Sequence, residues 1–271
     1  MIHMNLSDNL SRLTICLFTT TKGHWDIKDR YLETIEGLDN QINLKNFEFG
    51  RLIANIKVSP EEKDSGIHKK MVSDLGRFGF KIYERYGSWS HFSETHQNEY
   101  GQDIIDNYVN RDIRSEYVLH LEDDFLFCSK EGELSDWFGK CIDLLDNNAH
   151  LLQVRIARFA NEMDRINGLK QKHGINSSCL FHEKDNCYYH NDFGLNPSIF
   201  RTRDMYMASI LWAKNMSVFG SHVEMGFGKA LKYLSSQERC LAFFDPRKVK
   251  TIHIGTPAGE EENCNKEIIS D

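Results

Sequence analysis

Tyr117-Val118-Leu119-His120-Leu121-Glu122-Asp123-Asp124 is a short apolar run that ends in three consecutive carboxylates, and Phe125-Leu126-Phe127 follows at once. The run reads as a buried strand and the acids as the turn at its carboxyl end. Clustered acids beside apolar residues are unfavourable, because like charges repel and burial disfavours ionisation. A divalent cation removes both problems. Hard cations such as Mg²⁺ or Mn²⁺ take oxygen ligands and share themselves between one or two carboxylates and substrate phosphates. Three acids at a strand end therefore point to a metal–phosphate site, with a plain acidic turn as the alternative.

Working outward, the chain alternates strand and helix. Leu13 to Phe18 is a buried strand, with Thr19-Thr20-Thr21-Lys22-Gly23 as its loop. Residues 25–40 read as a helix, since Tyr31, Ile35 and Leu38 recur at helical spacing. Leu52 to Val58 is a second strand, and Ser59-Pro60-Glu61-Glu62 has the cap, proline and acids of a helix start. Phe80 to Arg85 is a third strand, and a helix is expected near 95–112. Beyond the acid triplet, residues 132–147 carry Leu134, Phe138, Ile142 and Leu145 on one side of a helix. This alternation predicts an α/β fold, a mostly parallel central sheet flanked by helices on both faces. Such sheets bind ligands beyond the carboxyl ends of their strands. Thr19 to Lys22 and Glu122 to Asp124 both lie at such ends.

The later part of the chain is less regular. Leu151 to Ile156 and Leu195 to Arg201 read as strands, and residues 160–192 as excursion loops or a hairpin over the site. Asp204 to Lys214 and His222 to Leu234 read as helices, Leu241 to Phe244 and Val249 to Ile254 as short strands. One domain over residues 1–258 is expected, followed by an acidic tail at 259–271.

Composition narrows the class. The 271 residues are 40% hydrophobic and 27% charged, which suits a folded chain with a substantial core. A net charge of −7 argues against a general nucleic-acid binder. Seven scattered cysteines without a Cys-x-x-Cys pair read mostly as small buried thiols. Cys179 and Cys187 flank a polar loop and could pair in an oxidising compartment. No apolar run is long enough for a transmembrane anchor, and the polar amino-terminal residues lack a signal-peptide core, so a cytoplasmic setting is expected. Peripheral contact with a membrane surface needs no such anchor and stays open.

Taken together, these residues resemble nucleotide-sugar glycosyltransferases of the GT-A fold, broadly glycosyltransferase family 2. The likeness covers about residues 12–257. It rests on the first strand ending in Thr19-Thr20, Glu122-Asp123-Asp124 where the family has its Asp-x-Asp (DXD) motif, Glu224 opening a late helix, and a closing strand Ile252-His253-Ile254-Gly255. The departure is Glu122, where Asp is more usual. The resemblance implies transfer of a sugar from a nucleoside-diphosphate-sugar donor to a hydroxyl of a glycan or glycoconjugate acceptor, helped by Mn²⁺ or Mg²⁺; inversion is the expected outcome, with retention as the alternative.

The resemblance also implies roles. Asp124 and His253 are the metal ligands. Glu122 reaches a ribose hydroxyl or a metal-bound water, and Asp123 acts through the metal or the sugar hydroxyls. Thr19, Thr20 and Lys22 meet the nucleotide. Arg85 touches it or pairs with an acid. Asn196 and Arg201, in Phe193 to Arg201, are polar contacts near donor sugar and acceptor. Glu224 is the general base, which an acceptor hydroxyl needs because it is a weak nucleophile near neutral pH. Ser221 and Glu224 also have the spacing of a capping box, a purely structural explanation of the same acid. Two other functions share many of these features. A sugar nucleotidyltransferase wants a glycine-rich basic loop after its first strand, and a noncatalytic nucleotide-sugar or glycan-binding domain tolerates loss of Glu224.

Overall fold

Side chains alternate across a strand, so a strand buried on both faces divides its residues between two cores. The first strand, β1 (Leu13–Thr20), does this: Leu13, Ile15 and Leu17 join one apolar cluster, Cys16 and Phe18 the other. The structure is a computed structural model that describes residues 10–21, 30–48, 51–87, 94–111, 113–127, 133–156, 180–182, 187–190, 197–219, 223–234, 241–243 and 251–253.

Parallel pairing places β1 between β2 (Leu52–Val58) and β4 (Tyr117–Glu122), and β3 (Lys81–Tyr86) pairs parallel to the outer side of β2. On the other side β9 (Ser198–Arg201) runs antiparallel between β4 and β6 (Gln153–Arg155), and β10 (Leu241–Phe243) pairs parallel with β6. A hairpin of β7 (Leu180–His182) and β8 (Cys187–His190) completes the sheet against β10. The strand order is β3-β2-β1-β4-β9-β6-β10-β8-β7, mostly parallel as expected, with β9 and β8 reversed. The 160–192 region thus contributes a sheet-edge hairpin, and residues 157–179 lie outside the described residues.

Helices cover both faces. Helix α1 (Arg30–Ile42) brings Tyr31, Ile35 and Leu38 to the first cluster, joined by Met71 and Leu75 of α2 (Gly66–Arg77) and Phe138, Ile142 and Leu145 of α4 (Glu133–Asn147). The second cluster holds Ile104 of α3 (Glu94–Ile105) and Tyr108 of the π-helical turn Asp106–Asn110 that follows it. It also takes Met205, Ala208 and Trp212 of α5 (Thr202–Lys214) and Phe227, Ala230 and Leu231 of α7 (Val223–Leu234). The short α6 (Met216–Phe219) joins α5 to this region.

The helix start expected at Ser59 is corrected. Pro60–Glu62 forms a single 3₁₀ turn, and α2 begins later, where the Ser65 hydroxyl accepts from the His68 amide at 3.1 Å. Asp64 takes φ 60°, a left-handed conformation that separates the two. Cys16, Cys141 and Cys187 are buried thiols, while Cys179 lies outside the described residues. Among the described residues no helix is long and apolar enough to cross a membrane.

After the acid triplet the chain leaves the main sheet. β5 (Phe125–Phe127) pairs antiparallel with β11 (Thr251–His253), which sets His253 opposite Phe125. Gly37 lets α1 lie directly on β5, because a Cβ there would sit 3.3 Å from the Phe127 carbonyl oxygen.

Candidate functional site

The carboxyl ends of three neighbouring strands make one cleft. Register pairs Phe18 with Glu122 across β1 and β4, and Thr20 with Lys57 across β1 and β2. The cleft, about 220 Å³, is lined by Phe18, Thr19 and Thr20 of β1, Asn55 and Lys57 of β2, Tyr100 and Asp103 of α3, and Glu122, Asp123 and Asp124. The acid triplet and the threonines therefore do share one crevice.

Asp123 is held from two sides. The Thr19 hydroxyl donates to its Oδ2 at 2.5 Å, and the buried Thr34 hydroxyl of α1 donates to its main-chain carbonyl at 2.9 Å. Burial, then the charge of Asp124, pushes the Asp123 carboxyl up to about 7, against the Thr19 hydroxyl and the Thr20 and Asp123 amides. Such a carboxylate gains from a nearby cation. Two adjacent carboxylates with oxygen donors suit Mg²⁺ or Mn²⁺ rather than a soft metal. Among the described residues no group of three or more His, Cys, Asp or Glu side chains is arranged to hold a metal alone. A metal shared with a diphosphate needs only one or two protein carboxylates, so the donor set fits that shared kind of site.

Behind the cleft wall lies a polar network that faces α3. Asn55 Nδ2 donates to the Leu17 carbonyl and to Asn107 Oδ1, both at 3.2 Å. The Arg111 guanidinium donates to Asn55 and, at 2.7 Å, to Asn107 Oδ1, and it lies 3.7 Å over the Tyr83 ring. Asp103 is pushed up to about 6 by burial, against the charges of Arg85, Lys57 and Arg111. On the sheet beside it, His120 is fully buried and stacked on Phe18 with ring centroids 4.4 Å apart. Its Nε2 lies 3.0 Å from the Tyr100 hydroxyl and its Nδ1 2.9 Å from the Tyr108 hydroxyl; Tyr100 in turn donates to Glu122 Oε1 at 2.7 Å. Burial pulls the His120 imidazole down to about 3, so it stays neutral near pH 7.

Of the residues named from sequence, the structure brings Thr19, Thr20, Glu122, Asp123 and Asp124 together. Arg85 stands behind the lining and forms ion pairs with Asp103 and Asp106, the second of the two roles expected for it. Arg201 is a correction. It pairs with Tyr117, at the start of β4 and roughly 17 Å along the strand from Glu122. Its guanidinium donates to the carbonyls of Leu145, Asn148 and Leu151 and to Asp204, so it ties the end of α4 to β9. Glu224 lies in the first turn of α7 and His253 on β11, both placed by their backbone. Lys22 and Asn196 lie outside the described residues.

Sequence reasoning missed Asn55, Lys57, Tyr100 and Asp103. Two of these carried a signal. Asn55 and Lys57 stand two apart in Leu-Ile-Ala-Asn-Ile-Lys-Val, on one face of a strand otherwise apolar, and both are buried.

No protein-family model matches the sequence, and no curated protein matches it. Solved structures do. The mannosyltransferase PcManGT from Pyrobaculum calidifontis, in complex with GDP-Man and Mn²⁺, is similar with a TM-score of 0.50 at 9% identity, over 92% of this chain and 58% of that one. Mouse xyloside xylosyltransferase 1, in its apo form, is similar with a TM-score of 0.39 at 9% identity, over 85% of this chain and 83% of that one. The chain shares its fold with a glycosyltransferase, and it spans under two thirds of the mannosyltransferase's length.

Proposed function

We propose that this protein is a metal-dependent, inverting glycosyltransferase of the GT-A class that moves a sugar from a nucleoside-diphosphate sugar to a hydroxyl of a glycan or glycoconjugate. The observation that carries the reading is the cleft itself: Thr19, Thr20, Lys57 and the triplet Glu122 to Asp124 meet at the carboxyl ends of β1, β2 and β4. The fold shared with a mannosyltransferase that was solved with GDP-Man and Mn²⁺ supports it.

In this reading Thr19 and Thr20 meet the nucleoside and Glu122 its ribose, with Lys57 adding positive charge at the same end. Asp124 holds Mn²⁺ or Mg²⁺. Its neighbour Phe125 pairs with His253 across β5 and β11, a backbone register that supports His253 as the second ligand. When bound, the metal stabilises the charge that develops on the leaving diphosphate. Glu224, at the start of α7, takes the proton of the acceptor hydroxyl as the new glycosidic bond forms. Residues 1–258 would make up this catalytic domain.

The test is thermal unfolding with UDP, GDP, CDP and dTDP, each with and without Mn²⁺. A ligand specific for the native state adds about 2.7 kcal/mol at a hundredfold excess over its dissociation constant. A manganese-dependent shift with one diphosphate, lost in Asp124→Ala, is the expected result. No shift with any of the four sinks the reading.

A further inference from the structure

With Glu122 ionised and His120 neutral, the hydrogen bonds behind Glu122 admit one consistent proton order. A hydroxyl has one proton, and Tyr100 gives its proton to Glu122 Oε1 at 2.7 Å. The Tyr100 oxygen must then accept from His120 Nε2 at 3.0 Å, which puts the ring proton of His120 on Nε2. Nδ1 becomes the acceptor of the Tyr108 hydroxyl at 2.9 Å. The ring is fully buried and packed face-on against Phe18, so it cannot turn without breaking the stack and both hydrogen bonds.

The architecture behind this chain is specific. His120 and Glu122 stand two apart on β4 and share a face. Tyr100 comes from α3. Tyr108 comes from the π-helical turn Asp106–Asn110, a widened geometry that often marks functional sites. His120 stacks on Phe18, and Tyr108 and Phe18 belong to an otherwise apolar cluster in which buried polar groups are unfavourable unless paired. The polar chain ends on a carboxylate that lines the cleft.

We infer that Tyr108, His120 and Tyr100 are positioning residues that aim Glu122 at the vicinal diol of a ribose, so that the donor is a ribonucleotide and not a deoxyribonucleotide. The inference rests on the nucleotide reading of the cleft given above. An ionised carboxylate only accepts, and it offers about four acceptor positions, which accommodate the Tyr100 hydroxyl and the two hydroxyls of a diol together. A 2′-deoxy ligand forfeits one of the two hydrogen bonds that a diol makes to the aimed carboxylate, in a partly buried setting where such a bond is stronger than in water.

The experiment is calorimetric titration of the full chain, in Mn²⁺, with GDP, UDP and their 2′-deoxy counterparts. The expected result is that the ribonucleotide binds at least about tenfold tighter than its deoxy form, and that Tyr100→Phe reduces the ratio to under about threefold. A merely structural tyrosine would weaken both ligands alike. Because Tyr100→Phe removes the acceptor of a buried N–H, a second measurement uses the unaltered protein: ¹⁵N shifts of His120 should report a neutral ring protonated at Nε2. Equal affinity for ribo and deoxy forms, an undiminished ratio in a folded Tyr100→Phe variant, or an Nδ1-protonated His120 would each overturn the inference. Binding of neither ribonucleotide would overturn the nucleotide-sugar reading, and this inference with it.

Discussion

Gly101 sits inside α3, next to Tyr100 and two residues before Asp103, both of which line the cleft. Replacing an interior helical glycine by alanine normally stabilises by roughly 0.5–1 kcal/mol, through helix propensity and a less flexible unfolded chain. Here the sign should reverse. A Cβ at Gly101 would lie 2.0 Å from Trp212 Cη2, 2.6 Å from Cζ3 and 3.2 Å from Cζ2. Trp212 is 1% exposed and packs edge-on to Phe227 at 6.4 Å, so the indole has no open direction. Relief requires α3 to move away from α5 by more than ~1 Å, and overpacking of this kind costs about 1–3 kcal/mol or more. The net expectation is a loss of about 2 kcal/mol, read as a lower urea midpoint with an unchanged slope. Gly76→Ala in α2 is the control, because nothing lies within 4 Å of its added Cβ, and it should be neutral or mildly stabilising. Because the shift in α3 carries Tyr100 and Asp103 with it, Gly101→Ala should also weaken nucleotide binding in Mn²⁺, whereas Gly76→Ala should not. A Gly101→Ala protein as stable as the parent would refute the close packing of α3 on Trp212.

The remaining predictions follow from charge and proton placement. His120 is depressed from 6.5 to about 3, so the stability of its neutral form is full above pH 6.5 and is lost as pH falls toward 3. The advantage of wild type over His120→Gln should therefore shrink by about 2.3 kcal/mol between pH 6.5 and 4.5, as measured by urea unfolding; a constant difference would count against a buried neutral imidazole. Asp123 acts in the opposite sense: raised from 3.8 to about 7, it weakens the metal-free fold as pH rises through that window. Asp123→Asn should raise the metal-free midpoint of thermal unfolding at pH 7, and Mn²⁺ binding to the parent should release protons, detectable as a buffer-dependent binding enthalpy. Glu224→Gln should keep donor affinity and lose sugar transfer, and a fully active variant would move the base elsewhere. Arg201→Ala should lower stability by about 2–4 kcal/mol through its lost carbonyl and Asp204 bonds, with nucleotide affinity of the folded fraction unchanged.

What the sequence made legible, and what it hid, divides along physical lines. β2 is found at Leu52–Val58 as read, because its continuous apolar character leaves few alternatives, and the acid triplet is where strand and polarity change together. Ser59-Pro60 misled because the cap and proline signals describe any helical turn, 3₁₀ or α; the left-handed Asp64 that ends this one is a backbone event without a strong residue signature. Arg201 misled for another reason. An arginine at a strand end can serve a ligand or the chain itself, and which it serves depends on which end of the sheet the strand presents. β9 enters antiparallel, so its last residue lies beside the start of β4, away from the carboxyl ends that make the cleft. One rule could have found the overlooked strand residues Asn55, Lys57 and His120, from the same pattern that Glu122 shows. Asn55 and Lys57 on β2, and His120 and Glu122 on β4, each interrupt an apolar strand at a spacing of two, and all four project to the face covered by α3. Burial of a polar side chain is unfavourable without a partner, so two such interruptions on one face imply a helix opposite that supplies partners. α3 and its π turn supply Tyr100, Asn107 and Tyr108. The period-two polar pattern in buried strands therefore marks the wall of the cleft, as the acid triplet marks its floor.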